Sequence, residues 1–269
     1  MAGDQRGTTE ILYFDSLVHV TSDGKWFDTN HDASPERLMR NLDAAGPARA
    51  CVVGIAGFNM EDDFVLSVCR KHSDQLVPVA GVDPGAFASS REARSHLTGL
   101  SKAGFRAIKV HPALSGIDLA DPRVDHVMEA AAETAMPVFL CTWLRSVSYR
   151  PSSSPIDLVH GLARRHPETW TLLLHGGATD LLEFADLVRG SDRLVLDLSF
   201  TLLRYRNSSI DMDLRHVLET LDQKTTVGSD FPEYRPADAR RRVLELMEDL
   251  PAPKVRNVLH DVLAVFLGR

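Results

Sequence analysis

Six polar side chains stand where chemistry could be done. His19, Lys109, His111, Cys141, His175 and Asp230 each fall at or just inside the carboxyl end of a short apolar run: FDSLVHV, FRAIKVH, PVFLCTW, TLLLHGG and TTVGSDF. Histidine changes charge near neutral pH and offers a ring nitrogen to a metal. A carboxylate takes a proton from water, and a thiolate is a good zinc ligand. Brought to one place, such groups hold a divalent ion or move protons without one. A single strand-end histidine is more often a hydrogen-bonded structural group than a ligand, so the joint placement is what carries weight. Side chains alternate along a strand, which predicts that Asp15, Leu17 and His19 share one face and Lys109 and His111 another. Asp197 and Ser199 end a further run, with a structural role for Asp197 equally open.

For residues this scattered to meet, the runs that end in them must lie side by side. Eight such runs are present, at 11–20, 50–56, 76–83, 105–111, 137–143, 171–177, 193–200 and 225–231. Their near-continuous apolarity suits parallel strands covered by helices. Ser34-Pro35-Glu36 supplies a cap, a first-turn proline and an early carboxylate for one helix, and 121–136, 154–166 and 235–250 repeat the pattern. Strand-helix alternation of this kind predicts a (β/α)8 TIM barrel, read as a single domain over residues 1–269, with a last helix over 254–267 packed outside. In such a barrel chemistry gathers at the carboxyl ends of the strands. A doubly wound open sheet is the alternative, but no glycine-rich phosphate turn follows the first run.

Composition narrows the function. The 269 residues are 44% hydrophobic and 25% charged, and 30 Lys plus Arg against 37 Asp plus Glu leave a net charge of −7. The basic triplet Arg240-Arg241-Arg242 is interleaved with acids in a helical pattern and reads as a solvated face, so no nucleic-acid or membrane partner is expected. The polar first ten residues and the short apolar run after them fit neither a signal peptide nor a membrane span, which predicts a cytoplasmic protein. Cys51, Cys69 and Cys141 form no CxxC pair and suggest no disulfide framework.

Three stretches carry a resemblance: GFRAIKVHP followed by a helix led by Asp-Pro, LLLHGG, and VGSDFP. With them, and less firmly with FDSLVHV, the chain resembles the amidohydrolase superfamily. The likeness is to the branch of amidohydrolase-related hydrolases and decarboxylases that includes aminocarboxymuconate-semialdehyde decarboxylase and pyrone-dicarboxylate lactonase. The resemblance implies a metal held by a first-strand His-x-His, of which only His19 is kept while Leu17 takes the other place. It implies a fifth-strand ligand, here Cys141, a sixth-strand ligand or acid-base group, His175, and an eighth-strand aspartate that takes the proton from water, Asp230.

Three mechanisms follow. A zinc-like divalent metal held by His19, Cys141 and Asp230 with help from His175 would lower the pKa of bound water to about 7, though Leu17 predicts weak or partial occupancy. Alternatively a metal-free, lactonase-like hydrolase uses Asp230 as general base while His175, His111 and Lys109 polarise the carbonyl; decarboxylation falls within either. A non-catalytic barrel binding a small molecule is the third. The expected partner is a small carbonyl substrate, carboxylated if Arg145, Arg150 or Arg204 in the loops after strands five and seven clamps it. Oligomeric state is not legible.

Overall fold

This computed structural model describes residues 11–144 and 149–268. Eight parallel strands follow one another in sequence order: β1 (Tyr13–Val18), β2 (Ala48–Val53), β3 (Leu76–Val82), β4 (Ala107–Val110), β5 (Val138–Cys141), β6 (Thr171–Leu174), β7 (Leu194–Asp197) and β8 (Thr225–Thr226). Helices connect them, as the spacing predicts. Pro35–Ala44, Pro122–Thr134 and Pro155–Arg165 each begin with proline behind a capping side chain, Ser34, Asp121 and Ser154 in turn. The cap oxygen accepts an N–H that the first turn would otherwise leave unpaired.

The eighth run is a regular strand for only two residues, yet it closes the barrel. Ser16 N donates to Val227 O at 3.1 Å, Asp230 N to Leu17 O at 2.9 Å and His19 N to Phe231 O at 2.8 Å. Gly228 is what lets the two segments come so close. A Cβ there would sit 2.5 Å from Ser16 Oγ and 2.8 Å from Leu17 N.

Simple alternation fails on β1. Its register against β2 shifts between Asp15 and Val18, and the extra residue of the bulge breaks the period of two. Phe14 and Leu17 therefore both join the barrel interior, a cluster with Cys51, Val53, Val79, Phe139 and Leu172. The expectation that Asp15 shares a face with Leu17 and His19 is corrected accordingly. The Asp15 carboxylate turns into the β1/β8 seam, where Oδ1 accepts Leu17 N at 3.2 Å and Ser229 N at 2.9 Å.

The end of the chain also differs from expectation. Val262, Leu263, Phe266 and Leu267 belong to the same cluster as the interior residues, and the Phe266 ring lies 5.9 Å from that of Phe139. The last helix, Val262–Leu267, is thus seated under the amino end of the barrel and seals it. Four apolar side chains on one short helix, each worth about 1.5–3 kcal/mol when buried, explain the preference for that seat.

Gly228→Ala should destabilise the protein by about 1–3 kcal/mol, because backbone on both sides of the seam must move. That corresponds to a melting temperature lower by roughly 2–4 °C per kcal/mol. An unchanged melting temperature would show that the close approach is not constraining.

Candidate active site

At the carboxyl end of the barrel, His19, Lys109, His111, His175 and Asp230 line one cavity of about 240 Å³. Trp26, Phe27, Trp143, Phe200 and Glu233 share its walls. Cys141 is fully buried and is not among the lining residues. Of the arginines considered for the substrate, Arg150 is exposed, and Arg204 lies over the Phe200 ring at 5.7 Å without lining the cavity. Arg145 lies outside the described residues.

Each histidine is held by a partner that fixes its tautomer. His19 Nδ1 meets the Val53 carbonyl at 2.5 Å; a carbonyl only accepts, so Nδ1 carries the proton and Nε2 presents a lone pair. His175 Nδ1 lies 3.1 Å from the Ser199 carbonyl, again leaving Nε2 as an acceptor. His111 is reversed. Leu114 N donates to its Nδ1 at 3.3 Å, so the neutral ring carries its hydrogen on Nε2. Burial pushes the pKa of all three below the ordinary histidine value, with the Lys109 charge adding to the effect, and His175 falls to about 3. All three are neutral near pH 7.

Lys109 supplies the positive charge. Its Nζ lies 3.3 Å from His19 Nε2, and the same Nε2 lies 3.6 Å from Asp230 Oδ1. Burial lowers the pKa of Lys109, while Cys141, Asp230 and Asp197 oppose that shift. Asp230 is raised to about 7, chiefly by burial, with Lys109 pulling the other way. Burial likewise holds the Cys141 thiol at about 11, so it stays protonated.

Tight turns deliver the two acid-base candidates. His175 has φ of +67° and Asp230 of +57°, a region that costs most residues energy and that His and Asp tolerate better than branched side chains. The turn after His175 depends on Gly177, where a Cβ would meet the Phe184 ring at 2.2 Å. Asp197 anchors the arrangement from beneath. It accepts His175 N at 3.4 Å and Ser199 N at 3.0 Å, together with the hydroxyls of Ser16 and Ser199.

Two wall residues were not legible in the sequence. Trp26 stacks on His19 with centroids 5.0 Å apart and donates from Nε1 to Glu233 at 2.7 Å. Trp26 falls in a segment without periodicity. Glu233 does follow VGSDFP directly, which was the one available signal.

The donor set does not fit a divalent metal. Leu17 packs in the apolar interior, Cys141 is a buried thiol, and the Lys109 ammonium stands beside the His19 nitrogen that a metal would need. Among the described residues no three His, Cys, Asp or Glu side chains gather closely enough to hold an ion.

Fold and site together define a (β/α)8 barrel with a polar mouth at the carboxyl ends of its strands. A model of the amidohydrolase family matches residues 21–261, and the chain belongs to that family, a family of enzymes. No curated protein matches it. Solved structures share the fold at low identity. An uncharacterised TIM-barrel protein from Bordetella bronchiseptica is 15% identical with a TM-score of 0.77, covering 96% of this chain and 100% of the other. A putative 2-pyrone-4,6-dicarboxylic acid hydrolase from Pseudomonas putida is 18% identical, TM-score 0.72, covering 96% and 98%. The 5-carboxyvanillate decarboxylase from Novosphingobium aromaticivorans, complexed with manganese and a nitrobenzoic acid, is 13% identical, TM-score 0.70, covering 98% and 97%.

Leu17→His alone should not create a tight zinc site, because Lys109 still stands beside the donors. Leu17→His combined with Lys109→Gln should bind zinc at least about 10-fold more tightly than wild type by calorimetry, the scale of one added coordinating group. Equal affinity in wild type and double variant would show that Lys109 does not stand in the metal's place.

Proposed function

We propose that this protein hydrolyses a small planar ester or lactone without a resident metal, with Asp230 as general base and the Lys109 ammonium doing the electrostatic work of a metal cation. The observation that carries it is the placement of Lys109 Nζ 3.3 Å from His19 Nε2, which is itself 3.6 Å from Asp230 Oδ1. The aromatic walls and the volume of about 240 Å³ support a small flat substrate.

Hydrolysis then divides among residues by what their atoms can donate. Asp230 takes a proton from water as the water oxygen bonds to the carbonyl carbon. Negative charge develops on the carbonyl oxygen, where the Lys109 N–H groups not used by His19 and the His111 Nε2–H can donate. His175 offers only a lone pair from Nε2, so it orients the attacking water instead of polarising the carbonyl, the role first expected of it. The carbon-oxygen bond to the leaving group breaks as Asp230 returns its proton to the departing oxygen. General base help of roughly 10²–10⁴-fold, with a comparable factor from oxyanion stabilisation, suffices for an activated ester or lactone.

Support also comes from one structural neighbour, the putative 2-pyrone-4,6-dicarboxylic acid hydrolase. Another neighbour, the 5-carboxyvanillate decarboxylase, is complexed with manganese, for which no donors gather among this chain's described residues.

Two measurements test this. With dihydrocoumarin as an activated lactone, kcat/KM should rise with pH through about 7 as Asp230 ionises, and Asp230→Asn should lower it at least about 10²-fold. A turnover unaffected by the substitution removes Asp230 from the mechanism. The second needs no substrate. A carboxyl raised from 3.8 to about 7 in the folded state contributes stability that is fully present below pH 4 and lost as pH rises through 7. Asp230→Asn should therefore melt with a smaller loss of stability between pH 5 and pH 8 than wild type; an identical loss would contradict the raised pKa.

A further inference from the structure

At the amino end of the barrel, away from the candidate active site, lies a second cavity of about 440 Å³. Arg49 from β2, Arg70 from the helix Asp62–Lys71 and Arg106, just before β4, all line it, over an apolar floor that includes Phe14, Leu66 and Val77. Its volume falls within the roughly 300–1,000 Å³ of small-molecule sites.

Three guanidiniums repel one another, and this chain is acidic overall, at −7. Elsewhere its arginines take acidic partners: Arg94 with Glu133 at 2.8 Å, Arg165 with Asp125 at 2.9 Å, Arg215 with Asp249 at 2.6 Å. Among the described residues, none of the three cavity arginines forms an ion pair with a carboxylate. Arg70 gives one nitrogen to the Ala103 carbonyl at 3.0 Å and Arg106 one to the Leu267 carbonyl at 3.3 Å. Arg49 rests over the Phe14 ring at 4.8 Å, with its Nε buried and without a hydrogen-bond partner. A guanidinium has five N–H groups, so most of the donors here are uncommitted. Their natural acceptor is an anion with several oxygens.

We propose that this cavity binds a small amphipathic anion, a carboxylate or phosphate monoester carried on a short apolar body. The head lies among the three guanidiniums and the body lies on Phe14, Leu66 and Val77. This site is independent of the active-site assignment, and its test reads binding alone.

The test is calorimetry on the full chain with hexanoate and hexyl phosphate, using hexanol and inorganic phosphate as controls. At least one hexyl anion should bind saturably, about 10-fold or more tightly than either control, since head and body each contribute. Which one binds distinguishes a carboxylate from a phosphate ligand. Arg70 and Arg106 are exposed, so Arg70→Gln with Arg106→Gln should keep the wild-type circular dichroism while weakening binding at least about 10-fold. Arg49→Gln, which also removes the contact with Phe14, should weaken it as well. Failure of both anions to bind, or binding that survives unchanged in the folded double variant, overturns the proposal.

Discussion

A closed barrel has no free edge, so its first and last strands must find each other's backbone across the whole length of the chain. Here that seam is irregular on both sides. β1 carries a bulge and the segment after Thr226 is not a regular strand, yet Ser16, Asp230 and His19 all give their N–H groups across it. The two bonds nearest the mouth involve the backbones of His19 and Asp230, so the geometry that closes the barrel also sets these side chains 3.6 Å apart. Asp15 is the staple. Its Oδ1 accepts from both sides of the seam, Leu17 N and Ser229 N, and Gly228 leaves the room for it. Burial raises this carboxyl to about 7 even so, because two amide donors do not replace the water it has lost.

Charge in the mouth follows from the same burial. Three histidines are neutral there, the Cys141 thiol keeps its proton, and Asp230 ionises only near neutrality. Lys109 is left as the cation that faces the lone pair of His19. An ammonium cannot bring several ligands into fixed coordination as zinc does, but it carries its charge in the same enclosed space, where electrostatic effects are screened less than in water. Leu17 is consistent with that exchange. In that proposal the position beside His19 has no ion to coordinate, and Leu17 packs with Phe14 and Val53 in the interior.

Much of this was legible in the sequence. The eight apolar runs and the Ser-Pro and Asp-Pro helix starts gave the barrel because parallel strands and capped helices leave strong local marks. The strand-end rule brought His19, Lys109, His111, His175 and Asp230 to one mouth. What was missed depends on long-range contact. No period announces a bulge, so Asp15 was put on the wrong face. The last helix has an apolar face that fits a barrel's outside as well as its open end, and only the seat beside Phe139 decides between them. Trp26 reaches the site through a loop, held there by Glu233, 207 residues away in sequence.

In the mechanism proposed above, Lys109, and not a metal ion, provides the positive charge for catalysis. Its most direct test is kcat/KM for dihydrocoumarin, measured on protein stripped of metal to below about one ion per hundred chains and again after saturation with zinc or manganese. The values should agree within about twofold, since no rate-limiting step needs a Lewis acid. Activity that is absent from the stripped protein and appears in proportion to bound metal would contradict the account.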